Sequence, residues 1–311
     1  MNWLTKIKTF GDKIKRNLQK KFPTKEEIAN SDWTSCCKGP VLKKDLEENL
    51  WVCNSCGKHH RISCKQRFDI FFSKNNYEIL NTPTPQEVDI LRWKDTKSYK
   101  DRLKAARKKT GMNCAVMIVK SEIDNIKVTA AASDMSFMAA SVGAAEGEAL
   151  LTGIQHAIDN KQPFINFTSG GGMRMYENLI SLSQMTRVTL AINELKKNNL
   201  PYIVVMCDAT TGGITASYAM LGDINLAEPN ALVAFAGARV IKGTVNEELP
   251  EGFQKSEYVQ KTGFIDLIVE RGELKRKIGS ILSILLKKNS DIHLKNLNET
   301  SETDIQTREA S

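Results

Sequence analysis

No run of apolar residues in this 311-residue chain approaches the roughly 20 that a membrane-spanning helix needs, which excludes a helical membrane span. The opening residues, from Met1 to Phe10, hold no uninterrupted apolar stretch of the kind that drives secretion, which predicts a cytosolic protein. Neither G-x-x-x-x-G-K-S/T nor G-x-G-x-x-G occurs, so the ATP and dinucleotide fingerprints are missing, although phosphate binding by backbone N–H groups alone stays open. Cysteine comes in an odd number, seven, and in a chain without an export signal that favours free thiols and metal ligands over disulfides.

What is present begins with charge. The formal +8 suits polyanionic partners such as phosphorylated cofactors, nucleic acid or anionic lipid, without choosing among them. Much of the excess is local, in Lys6, Lys8, Lys13, Lys15, Arg16, Lys20 and Lys21, and again in Arg102, Lys104, Arg107, Lys108 and Lys109. Residues 3–18 set Trp3, Leu4, Ile7, Ile14 and Leu18 along one side of a helix, which reads as a terminal helix docked on protein more simply than as one lying on a membrane. The basic run Tyr99 to Lys109 reads as a helix ending at Gly111; it suits a phosphate group, and a solvated face is the commoner reason for such charge.

Cys36-Cys37 and Cys53-Asn-Ser-Cys56 form two knuckles about fifteen residues apart, the spacing of a zinc ribbon. The first knuckle is irregular, because adjacent cysteines do not enter a tetrahedral site in C-x-x-C geometry. The fourth ligand therefore stays open, with His59, His60 or Cys64 as substitutes. A structural zinc contributes about 10–16 kcal/mol to a module too small to build its own core.

From Asn113 the pattern is that of an α/β domain. Cys114 to Val119 and Ile126 to Ala131 read as strands joined by an Asp124-Asn125 turn, and a helix follows with Leu150, Leu151, Ile154, Ala157 and Ile158 inward. His156 falls on its polar side. Then a motif occurs twice: an apolar strand (Phe164, Ile165, Phe167), the glycines Gly170, Gly171 and Gly172, and a helical pattern directly after; and Tyr202 to Cys207, Asp208-Ala-Thr-Thr-Gly212-Gly213, and a helical Ile214 to Met220. Two such units in succession predict parallel strands with both glycine turns at one edge of a sheet, where N–H groups without intrahelical partners face an anion or a developing oxyanion. Further strands are expected over 231–237 and 264–269, and helices over 252–260 and 273–288. Side-chain bases are scarce: Asp208 reads as an N-cap and Glu177 as a complement to a helix dipole, with no histidine beside either turn. The domain has the look of half a site.

Taken together, Tyr99 to Gly111, Arg174-Met175 with Ser181 to Met185, Gly212-Gly213 with Ala219 to Asp223, and Ala227-Glu-Pro229 with Phe235-Ala-Gly237 closely resemble the carboxyltransferase β subunits of bacterial acetyl-CoA carboxylases, from about Trp33 to about Lys288. The resemblance implies a crotonase-like fold behind a zinc ribbon, in a cytosolic α2β2 heterotetramer with an α subunit. It implies transfer of a carboxyl group from carboxybiotin, on a separate biotin carboxyl carrier protein, to the CoA thioester acetyl-CoA, giving malonyl-CoA for fatty acid synthesis, with biotin carboxylase in the full complex. The missing Met-Lys-Met biotinylation motif and ATP signature agree, since those parts belong to other chains. By the same resemblance Gly212 and Gly213 match the oxyanion pair, Gly171 and Gly172 the glycines of the other turn, and Cys37, Cys53 and Cys56 zinc ligands, in a candidate metal set of Cys36, Cys37, Cys53 and Cys56. This chain carries Ala139 and Ala140 where paired glycines are common, and Gly170 where serine is frequent.

The expected organisation is a basic helix and linker over 1–32, a zinc ribbon over 33–64, a connecting segment over 65–110, the carboxyltransferase domain over 111–288 and a polar, disordered tail over 289–311. Two other classes compete: an acyl-CoA hydratase or isomerase, which needs a carboxylate such as Glu177 as base, and nucleic-acid binding through the basic N-terminus and ribbon, ranked as a secondary property.

Overall fold

A computed structural model of the chain describes residues 32–36, 39–85, 89–245 and 248–287. The helix expected over 3–18, Cys37 and the tail over 289–311 lie outside the described residues. The chain divides into two compact units, Met1–Lys58 and His59–Ser311.

In the first unit, β1 (Trp33–Cys36) and β2 (Gly39–Leu42) pair antiparallel, and a short helix, α1 (Lys43–Glu48), follows. The second knuckle closes on itself, with Gly57 N–H donating to Cys53 O at 2.8 Å and Cys53 N–H to Lys58 O at 3.0 Å.

The second unit holds α2 (Cys64–Phe71), β3 (Tyr77–Ile79), α3 (Tyr99–Thr110), β4 (Val116–Ile123), β5 (Ile126–Ser133), α4 (Ala144–Asp159), β6 (Phe164–Gly170), α5 (Leu179–Lys197), β7 (Tyr202–Thr211), β8 (Ile224–Ala227), β9 (Val233–Ala234), α6 (Ala238–Val245), α7 (Ser256–Lys261), β10 (Leu267–Ile268) and α8 (Leu274–Leu285). The sheet runs β10-β8-β7-β6-β5-β4-β3, with β9 also on β7. From β5 through β10 the pairings are parallel, whereas β3, β4 and β5 are antiparallel. Local chemistry sets the boundaries. Asp124 and Asn125 both take left-handed φ (49° and 62°), as a two-residue hairpin turn requires, and Gly111 caps α3 at φ 69°.

Both sheet faces are covered, so the central strands alternate between two cores. Tyr202, Val204 and Met206 face Leu150 and Ile154 of α4 and Val188 and Ile192 of α5. Ile203, Val205 and Cys207 face Phe68 and Phe71 of α2 and Ile278 and Leu282 of α8. A smaller cluster seats α3, through Tyr99, Leu103 and Ala106, on Phe137 and Ala140.

Four expectations change. No helix begins at Gly172: a 3₁₀ turn (Met175–Glu177) intervenes and α5 starts at Leu179, after Asn178 at φ 45°. The helix expected over 214–220 is two 3₁₀ turns, Gly212–Ile214 and Tyr218–Met220, because β7 runs on to Thr211 by pairing Thr210 and Thr211 with Val233 and Ala234. Neither glycine turn opens an α-helix, so helix dipoles contribute less there than the sequence pattern suggests. The strand expected over 231–237 shortens to β9, and that over 264–269 to β10.

Candidate active site

β6 and β7 are parallel neighbours, with Gly170 opposite Thr210, so both glycine turns leave the same edge. They meet backbone against backbone. A Cβ on Gly212 (φ 66°) would stand 3.1 Å from Gly172 Cα, and one on Gly172 (φ 105°) would stand 3.5 Å from Gly213 N. Glycine is required here for conformation and for close approach. At Gly213 a Cβ would stand 2.7 Å from Met173 Cγ and 3.0 Å from Met185 Sδ, so those two side chains wall the turn.

The four glycines singled out from sequence divide into two kinds. Gly171 N–H donates to Ala139 O (2.9 Å) and Gly212 N–H to Phe235 O (3.0 Å), so both are used in holding the turns. Among the described residues the N–H groups of Gly172 and Gly213 find no backbone or side-chain acceptor. Hydroxyls fix the surrounding carbonyls: Thr211 Oγ1 donates to Gly170 O (2.9 Å) and Ser217 Oγ to Gly213 O (2.6 Å).

Met138, Ala139 and Ala140, beside the first turn, have φ of 48°, 56° and 48°. This is left-handed backbone, in which an L residue costs roughly 1–2 kcal/mol. Ala139 and Ala140 thus occupy positions whose conformation suits glycine.

Both carboxylates weighed as bases are engaged in hydrogen bonds. Asp208 lies inside β7, not at an N-cap; Arg61 Nε donates to it at 3.0 Å and Leu232 N–H at 3.1 Å. Glu177 is buried and accepts from Tyr99 Oη, from Arg174 Nη1 (3.2 Å) and from Ala144 N–H. Burial pushes the Tyr99 phenol up, which keeps it a neutral donor. His156 is half-buried, among polar neighbours, with Nδ1 2.9 Å from Thr129 Oγ1; burial, with Lys120 nearby, lowers its pKa. His59 Nε2 lies 2.6 Å from Glu270 Oε2.

Sequence reasoning missed a buried charge cluster behind β7. Glu228, in the Ala227-Glu-Pro229 segment, accepts from Arg67 and, at 2.8 and 2.9 Å, from Arg271. Burial pushes its carboxyl up, but Arg67, His59 and Arg271 outweigh that and hold it well below the usual carboxylate range. Beside Gly212 and Gly213 an apolar cleft of about 440 Å³ is lined by Thr215, Ala216, Met220, Phe235, Tyr258 and Phe264.

In the first unit, Cys36, Cys53 and Cys56 place their Sγ atoms within 4.8 Å of one another, Cys36 to Cys56 at 3.4 Å. Tetrahedral thiolates on zinc, at about 2.3 Å each, lie about 3.8 Å apart, so the three fit a metal. Two proposed substitutes are engaged within the second unit: His59 as above, and Cys64, whose buried thiol lies 3.1 Å from Ala132 O and is pushed up by burial.

The carboxyl transferase domain family matches residues 87–309. The acetyl-coenzyme A carboxylase carboxyl transferase subunit beta of Pelagibacter ubique is 73% identical over 302 residues, covering 97% of this chain and 97% of its own. This chain belongs to the acetyl-CoA carboxylase carboxyl transferase subunit β family. The member from Methylocella silvestris is 43% identical over 92% of this chain and 97% of its own. Among solved structures, transcarboxylase 12S with methylmalonyl-coenzyme A bound superposes at a TM-score of 0.60 with 19% identity, over 78% of this chain and 44% of that one. A Pseudomonas malonate decarboxylase heterodimer superposes at 0.55 with 16% identity, over 71% of this chain and 85% of that one. Membership makes the chain a carboxyl group transferase, and the superpositions give it the crotonase-like carboxyltransferase fold.

Proposed function

We propose that this chain is the half of an acetyl-CoA carboxyltransferase that binds the thioester, and that Gly172 and Gly213 donate their N–H groups to the acetyl-CoA carbonyl oxygen as it becomes an enolate oxygen. The observation that carries the reading is the pair of uncommitted N–H groups on abutting turns with no side-chain base beside them. Each preorganised donor is worth about 2.7–4 kcal/mol in the transition state. Gly171 and Gly212 contribute by holding the turns, and the cleft by Phe235 suits the acyl and pantetheine portion of the CoA thioester. Carboxybiotin, on its carrier protein, supplies the carboxyl group and, after release, a base for the methyl proton. The commitment of Glu177 to Tyr99, Arg174 and Ala144 argues against a hydratase.

Met175 (70% exposed), Leu179 (73%) and Phe235 (69%), from the segments that follow or pair with the two turns, are exposed apolar side chains suited to contact with a carboxyltransferase α subunit in an α2β2 assembly. Zinc, held by Cys36, Cys53 and Cys56, orders the first unit. The deciding experiment is malonyl-CoA formation by the chain assembled with an α subunit and carboxylated carrier. Gly213→Val, with assembly intact, is expected to abolish it; normal turnover sinks the assigned site.

A further inference from the structure

Three consecutive glycines do not hold their own conformation, because they have no side chains to pack and lose the most backbone freedom on ordering. Whatever fixes the Gly172 N–H must act from neighbouring residues. On one side a short ladder does so: Val142 N–H donates to Gly172 O (2.9 Å), and Arg174 N–H donates to Val142 O (2.8 Å). The Arg174 side chain then reaches back across that ladder. Nη2 donates to Ser141 O and to Glu146 Oε1, both at 2.6 Å. Nη1 donates to Tyr99 Oη and to Glu177 Oε1, both at 3.2 Å, and Nε donates to Ser141 Oγ at 3.3 Å. All five guanidinium donors are thus used on a side chain only 1% exposed.

The two carboxylates are anchored in turn. Glu146 accepts from Ala115 N–H and Gly143 N–H, both at 2.9 Å, and Glu177 from Ala144 N–H and Tyr99 Oη. The group therefore ties the residue before Val142, the start of α4 and the start of α3 to one point directly behind the glycine turn. Tyr99 adds stiffness by stacking on Tyr176, with ring centroids 5.3 Å apart.

We propose that Arg174 is a positioning residue for carboxyl transfer: its guanidinium, held by Glu146, Glu177 and Tyr99, locks the Ser141–Val142 backbone against the glycine turn and so aims the Gly172 N–H at the thioester oxygen. This rests on the reaction assigned above. Arg174 is buried, with its guanidinium used wholly within the chain, so its removal acts on the chemical step and leaves CoA affinity alone. Lysine does not substitute, since an ammonium is a point charge with three donors where a planar five-donor fork is in use.

The test uses the full-length chain assembled with its α subunit, measuring malonyl-CoA formation and inhibition by free CoA. Arg174→Lys is expected to lower kcat by about tenfold or more, with KM for acetyl-CoA and the CoA inhibition constant changing by less than about threefold. Tyr99→Phe, which keeps the ring and its stacking, is expected to lower kcat about threefold by the same route. Wild-type kcat in Arg174→Lys, or a raised KM at unchanged kcat, overturns the proposal. If Arg174→Lys does not assemble, Tyr99→Phe decides, and wild-type kcat there overturns it equally. A wild-type assembly that makes no malonyl-CoA refutes the assigned reaction, a result distinct from normal turnover in the variants.

Discussion

Gly212 and Gly172 pack tightly against each other, a Cβ on the first standing 3.1 Å from the Cα of the second. The uncommitted N–H groups of Gly172 and Gly213 are held together by that contact. Gly212→Ala must push the turns apart and also place an L residue at φ 66°. We expect kcat to fall on the order of 100-fold through misaligned donors, with a stability loss of only about 1–2 kcal/mol. Steady-state kinetics beside thermal denaturation checks the split. Gly243→Ala, in α6 with open space around it, is the control and should leave kcat unchanged.

Ala139 offers the opposite change. It sits at φ 56° between two other left-handed residues, and only its carbonyl serves the turn, accepting from Gly171 N–H. Glycine there relieves roughly 1–2 kcal/mol of strain against about 0.4–1 kcal/mol of added freedom in the unfolded chain. A small rise in denaturation midpoint is expected for Ala139→Gly; a fall would show that the alanine is not strained.

Glu228 sets an acid limit on the second unit. Its folded-state pKa lies below the unfolded value, so its contribution is complete above the unfolded carboxylate range and fades as pH falls through the folded value. Glu228→Gln leaves Arg67 and Arg271 buried without their counter-charge, which costs about 3–5 kcal/mol at neutral pH. In denaturation midpoints measured across pH, the gap between variant and wild type should narrow only in strongly acid solution. A gap that closes already near neutrality contradicts the assignment.

The cysteine cluster predicts one zinc per chain. Metal analysis of purified protein should find it, and Cys36→Ser should lower retention under a chelator while leaving the sheet of the second unit intact by circular dichroism. Zinc-free protein with unchanged stability would refute the site.

Much of this was readable in the sequence because it is local. The apolar runs around Ile165 and Val204, ending in glycines, determined two parallel strands with turns at one edge, and Asp124-Asn125 determined the hairpin between β4 and β5. The cysteine spacing anticipated that Cys36, Cys53 and Cys56 come together, and the motif set determined the family. The short strands β3 and β8 were not legible, since so few residues carry no periodic pattern. Only the tertiary structure decided which N–H groups remain uncommitted. Gly171 and Gly212 look like Gly172 and Gly213 in sequence, and differ because Ala139 and Phe235, brought in from distant segments, accept from one pair and not from the other. The same holds for Glu177, which reads as a base or a dipole complement until folding sets Arg174 and Tyr99 against it. A hydrogen bond between residues far apart in the chain depends on the path between them, and no local pattern records that path.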